Sequence, residues 1–165
     1  FETVGRGRIM NYIPIAILFF IGVVLISHVI LSYSKYGRYL YAIGGNKKAA
    51  YVSGINTDRM TLIAYVMVGL LNAVAALILI SRVGSALATT GDAYTLDALA
   101  AVVVGGVAIT GGEGSALSIF LGVVLIGLIG NALVIMNVNP YLRDVVIGLI
   151  IITAVTISRV TGRRR

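Results

Sequence analysis

The stretch from Tyr12 to Leu31, YIPIAILFFIGVVLISHVIL, carries no Asp, Glu, Lys or Arg. A bilayer core needs roughly 20 apolar residues for each helical span, and a soluble core seldom uses such runs repeatedly. Here four more blocks follow: Met60–Ile80, Ala98–Thr110, Ser115–Val138 and Tyr141–Val160. Hydrophobic residues make up 59% of the 165 positions and charged residues only 12%, about half the charge of a typical soluble domain. The fold class this pattern predicts is all-α integral membrane.

The net charge of +7 suits membrane anchoring better than nucleic acid, because the basic residues sit in loops and at the C-terminus and no basic face is interleaved with aromatics. Cysteine is absent, which excludes a disulfide framework, a thiolate metal site and a cysteine nucleophile. No cofactor is expected. Phe1 is not a start methionine, the opening residues do not show the basic-then-apolar pattern of a signal peptide, and FETVGRGRIMN resembles an interhelical loop. A piece of a longer membrane protein, cut upstream of Tyr12, is expected.

Charge decides the number of crossings. Ala98–Thr110 is short, about 20 Å of helix at 1.5 Å per residue, so it either crosses or re-enters. The Ser32–Arg59 loop holds Lys35, Arg38, Lys47, Lys48 and Arg59, and the tail holds Arg159, Arg163, Arg164 and Arg165. If the short block crosses, these nine face the remaining four, Arg6, Arg8, Arg82 and Arg143. If it does not, the division is six against seven. The positive-inside rule therefore predicts five crossings, at about 12–31, 60–80, 97–111, 115–138 and 141–160, with the N-terminus outside and the C-terminus cytoplasmic. The short crossing contains Gly105-Gly106 and ends in Gly111-Gly112-Glu113-Gly114. Loosened backbone at that depth must face protein or water, so these glycines serve close helix packing, a transport path, or both.

The cytoplasmic loop, 32–59, contains a candidate short helix. Asn46 is a favourable N-cap and Gly54 a favourable left-handed stop. Gly44-Gly45 are expected to turn the chain out of the membrane helix. A helix of about two turns is marginal alone. Ala49 and Ala50 make it thin enough for a groove, Tyr51 and Val52 add contact area, and Lys47 and Lys48 are placed to meet acids at a rim. The same composition also fits a solvated loop.

Other polar residues are few. Asn72 and Asn131 lie within spans, where they either bond between helices or contact a substrate. Gly122, Gly127 and Gly130 suggest close helix packing or a dimer contact. His28, the only histidine, has no acid in its segment and is expected to be structural. Arg143 and Asp144 are placed to pair locally, Asp97 to cap the short helix and Asp92 to cap it or to touch an external partner. Thr153 and Thr156 either line a path or bond their own backbone.

Two runs carry a family resemblance. KYGRYLYAIGGNKKAAYVSGI, Lys35 to Ile55, resembles the cytoplasmic loop of ABC permeases of the ribose/xylose/galactoside import type. LDALAAVVVGGVAITGGEGS, Leu96 to Ser115, resembles a later motif of that family. The order and spacing fit its C-terminal half. The resemblance implies that the short helix is a coupling helix docked on an ATP-binding subunit, with Gly44, Gly45, Asn46, Ala49, Ala50, Ser53 and Gly54 as contact residues and Tyr39 and Tyr41 as supports. Independently of the resemblance, residue type and place within the spans mark Asn72, Gly105, Gly106, Asn131 and Thr153 as candidate pathway or helix-packing positions. The resemblance further implies a bacterial inner membrane, a periplasmic or lipid-anchored sugar-binding protein, and a second permease copy. Val107 departs from the small hydroxyl residue common in relatives.

The function expected is a permease subunit of an ATP-driven sugar importer. No Walker lysine loop is present, so ATP hydrolysis falls to a partner. The alternative is an ion-gradient-driven secondary transporter or channel, a mechanism that usually places ionisable residues inside the membrane. These spans carry almost none. An intramembrane enzyme lacks a mid-span Asp pair, a metal-ligand cluster or a Ser–His pair.

Overall fold

The computed structural model describes residues 8–9, 13–85, 89 and 91–162. Arg6, Tyr12 and the terminal Arg163, Arg164 and Arg165 lie outside them. Apart from a two-residue antiparallel pair, Arg8–Ile9 with Ile13–Pro14, the described elements are helices. They are α1 (Ile15–Tyr33), α2 (Lys35–Gly45), α3 (Lys47–Val52), α4 (Thr57–Val83), α5 (Asp92–Val104), α6 (Ala116–Ile135) and α7 (Pro140–Gly162).

Among the described residues, three helical stretches are long and apolar enough to cross a membrane: Ala16–Tyr33, Thr57–Val83 and Ala116–Ile135. Their outward faces are apolar almost throughout, with Leu25, Ile26, Leu62, Leu70, Leu121 and Leu128 all exposed. That is the pattern of an integral membrane protein, in which lipid rather than water covers the outer surface.

The chain divides into two compact units, Phe1–Thr90 and Gly91–Arg165. In the first, α2 packs on α1, on α3 and on the start of α4. The loop expected between the first two spans is thus mostly helical, and α2 is an element that the turn residues concealed. Gly44-Gly45 do not turn the chain: they are the last two residues of α2. The turns fall instead at Ser34 and Asn46, where an extended backbone and a side-chain cap coincide.

In the second unit α5 packs against both α6 and α7. Ala100 and Ala101 of α5, Ile126 of α6 and Ile147 of α7 form its core, with Val104, Ile150 and Ile151 against it. On α6 the buried positions Ala116, Gly122, Ile126 and Gly130 fall largely four residues apart, which places them on one helical face. Backbone meets backbone at this seam. A Cβ on Gly122 would lie 2.1 Å from the Ala101 carbonyl oxygen, and one on Gly105 would lie 2.8 Å from that of Ser118. Small residues at such a seam allow the dispersion contacts that hold helices together in lipid.

The helical part of the short block runs from Asp92 to Val104, earlier than the 97–111 expected from hydropathy. Gly105 and Gly106 end it. Gly106 has φ +78°, and the amides of Gly106 and Val107 bond the carbonyls of Val103 and Val102. These two bonds satisfy carbonyls that a helix end otherwise leaves free. Residues 107–115 form a folded turn, with Ala108 N–H donating to Glu113 O at 3.2 Å and Gly111 N–H to Ala108 O at 2.9 Å. Because the helix starts at Asp92, Asp97 lies five residues inside it and does not cap it; Asp92 occupies the first turn, where a carboxylate meets the positive helix end.

Candidate functional site

The helix α3 is short, yet its own sequence fixes both ends. Asn46 Oδ1 accepts from the Ala49 N–H at 3.0 Å, satisfying a donor that the first turn leaves open. At the other end Gly54 has φ +84°. Gly54 N–H donates to Tyr51 O at 3.0 Å and Ile55 N–H to Ala50 O at 3.1 Å, the paired bonds of a Schellman stop. The Ser53 hydroxyl donates to Ala49 O at 2.9 Å. Asn46, Ser53 and Gly54 therefore build the helix from its own backbone.

Neighbouring segments hold the helix in place. Ala50 is buried, 4% exposed, as is Thr57 at 3%. Asn56 Oδ1 caps α4 by accepting from Arg59 N–H at 3.1 Å. Lys47 Nζ lies 3.4 Å from Asp58 Oδ1, with both side chains largely exposed. The Tyr36 hydroxyl reaches Met60 O at 3.4 Å. Desolvation pushes this phenol above its ordinary 10.0, because burial disfavours the charged phenolate.

The outward surface is what remains. Lys48, Ala49, Tyr51 and Val52 are all exposed, Tyr51 by 69% and Val52 by 86%. A charged and apolar patch on a preformed helical knob is suited to docking. Of the expected contact residues, Ala49 projects outward and Ala50 inward. Tyr39 and Tyr41 lie on α2, with Tyr41 half-buried.

Residues 2–155 match the family model described as the branched-chain amino acid transport system / permease component. The chain belongs to this permease family. It is 41% identical over 159 residues, 96% of its own length and 49% of the relative's, to the ribose import permease protein RbsC of Bacillus subtilis. It is 40% identical over 125 residues (76% of this chain, 37% of the relative) to the galactose/methyl galactoside import permease protein MglC of Haemophilus influenzae. It is 36% identical over 130 residues (79% and 36%) to the fructose import permease protein FrcC of Rhizobium meliloti. The chain spans about half the length of the first of these relatives and a little over a third of the other two. No solved structure matches it.

The second group of expected residues does not form one cluster in this chain. Gly105 is buried in the α5–α6 seam, whereas Gly106 is exposed at the helix stop. Asn72 of α4 and Asn131 of α6 are exposed, and neither side chain has a hydrogen-bond partner among the described residues. Thr153 and Thr156 turn back to their own helix: Thr153 Oγ1 donates to Leu149 O at 3.0 Å and Ile150 O at 2.9 Å, and Thr156 Oγ1 to Ile152 O at 2.7 Å. His28 lies 3.4 Å from the Ser32 hydroxyl and edge-on to Tyr33, with ring centroids 6.2 Å apart.

Two features of the chain escaped sequence reasoning. Arg143 does not pair with Asp144; its guanidinium donates to Asp97 of α5. Gly37, unremarkable in the sequence, is buried where α2 meets α1. The Arg143–Asp97 pair joins two helices through positions 46 residues apart in sequence, whereas Gly37 meets α1 across the single residue Ser34.

Proposed function

We propose that this chain is the C-terminal half of the membrane subunit of an ATP-driven sugar importer in a bacterial inner membrane. Its relatives' names support sugar as the cargo, most closely a monosaccharide. In this reading α1, α4, α5, α6 and α7 are five crossings, with α3 and the C-terminus cytoplasmic, as the excess of basic residues in the 32–59 loop and tail favours. The chain carries the cargo's path and performs no chemistry on it. A separate ATP-binding subunit hydrolyses ATP, an external sugar-binding protein delivers cargo, and a second permease copy completes the channel.

The observation that carries this reading is the form of α3. A helix of six residues is fixed by its caps and a buried alanine, yet presents Tyr51 and Val52 outward. A marginal helix so heavily braced is suited to transmitting force to a partner. The patch of Lys48, Ala49, Tyr51 and Val52 docks in a groove of the ATP-binding subunit, with Ala50 anchoring it from beneath. Closure of the ATP-bound subunits draws the docked helices together, and the bundle switches access between its two sides.

The test is Ala49→Arg in the full-length protein. A long cation on the outward face leaves the internal caps untouched, so membrane insertion is retained while co-purification with the ATP-binding subunit and sugar uptake are lost. Normal docking and uptake in that variant would contradict the assignment.

A further inference from the structure

We propose that Ser34 and Gly37 form a zero-clearance joint that carries displacement of α3 through α2 into α1, which makes Gly37 a positioning residue for coupling. The inference rests on the docking reading of α3 given above.

A single residue separates α1 from α2. Ser34 is extended, with φ −88° and ψ 157°. Its hydroxyl donates to Ile30 O at 2.6 Å and accepts from Gly37 N–H at 3.1 Å. One oxygen thus ties the last turn of α1 to the first turn of α2. Gly37 then presses against α1 directly. A Cβ there would lie 2.2 Å from the Leu31 carbonyl oxygen, 2.6 Å from its carbon and 2.7 Å from Ile30 O. All three are backbone atoms, so no side-chain rotation relieves the clash. Any other residue must separate or reorient the two helices. Gly22 and Gly45, in the same two helices, have nothing within 4 Å of a built Cβ.

The far end of α2 has a similar corner. Asn46 closes α2 with its backbone N–H on Ala42 O at 3.0 Å and opens α3 with its side chain on Ala49 N–H at 3.0 Å. The docking helix is therefore linked to α1 through two one-residue corners, each braced by side-chain bonds to backbone. Contacts between backbones are stiff, because close-packed atoms transmit displacement that a flexible side chain would absorb.

The joint is tested in the full-length transporter, reconstituted in lipid vesicles with its ATP-binding subunits and sugar-binding protein. The readout is sugar taken up per ATP hydrolysed. Loss of folded protein lowers the amount of complex but not this ratio in the complex that remains. Gly37→Ala and Ser34→Gly are expected to bind the ATP-binding subunit and hydrolyse ATP while the ratio falls severalfold. Ser34→Thr, which keeps the hydroxyl, and Gly22→Ala are expected to hold the ratio. An unchanged ratio in both Gly37→Ala and Ser34→Gly overturns the joint. So does failure of both to assemble, since the corner is then a folding element and not a transmitting one. Wild-type protein that binds no ATP-binding subunit overturns the docking reading itself.

Discussion

Arg143, in the first turn of α7, donates to the carboxylate of Asp97 on α5, and its guanidinium lies over Gly130 of α6, where a Cβ would come within 3.4 Å. The pair gathers all three helices of the second unit at one end. The side chains are 27% and 20% exposed, between the surface case, worth about 0–1 kcal/mol, and the buried case, where losing one partner costs about 3–5 kcal/mol. Arg143→Gln or Asp97→Asn alone should therefore cost about 1–3 kcal/mol, the range between those limits, read as a lower melting temperature of the purified protein in detergent. The exchange of both, Asp97→Arg with Arg143→Asp, should recover part of the loss. Additive losses in the double variant would mean that the two side chains do not interact.

The glycines of α6 look alike in the sequence but should respond differently. Gly122→Ala places a methyl 2.1 Å from a carbonyl oxygen, whereas Gly127 has open space around it. Overpacking costs about 1–3 kcal/mol and more when backbone must move. Removing a glycine from an open helix position gains up to about 1 kcal/mol. Thermal denaturation should show Gly122→Ala well below wild type and Gly127→Ala at or above it. Equal effects would place the α5–α6 seam elsewhere.

The ends of α3 make a matched pair of predictions. Asn46→Ala removes a cap worth about 1 kcal/mol, while Asn46→Asp keeps an acceptor. Gly54→Ala forces a left-handed conformation at a cost of about 1–2 kcal/mol, and Gly54→Asn tolerates it better. Hydrogen exchange at the Ala49 and Ile55 amides measures both effects. Exchange should quicken in the alanine variants and remain near wild type in Asn46→Asp and Gly54→Asn.

What was legible in the sequence was local. The apolar blocks gave the long helices, because lipid imposes length and apolarity together. Asn46 and Gly54 marked the ends of α3, since cap chemistry lies within a few residues of the end it makes. The hidden part was relational. Ala49 and Ala50 are identical in type, and only packing turns one outward and the other in. Lys47 found its acid, Asp58, eleven positions away across a turn. Asp97 and Arg143 lie on different helices, so each was assigned the nearest plausible role, a cap and a neighbouring acid. Hydropathy extended the short block to Thr110 because valine, alanine and isoleucine continue past Gly106, where backbone geometry stops the helix.

The central claim, that α3 is gripped on the cytoplasmic side by a separate ATP-binding subunit, is tested most directly by labelling a single Val52→Cys in the full-length protein, which requires removal of any cysteine elsewhere. In membranes containing the permease alone, a membrane-permeant maleimide should react readily with this residue, 86% exposed in the chain. An impermeant maleimide added outside intact cells should not reach it. With the ATP-binding subunit present, labelling should fall sharply. Labelling from outside, or equal labelling with and without that subunit, would contradict the account.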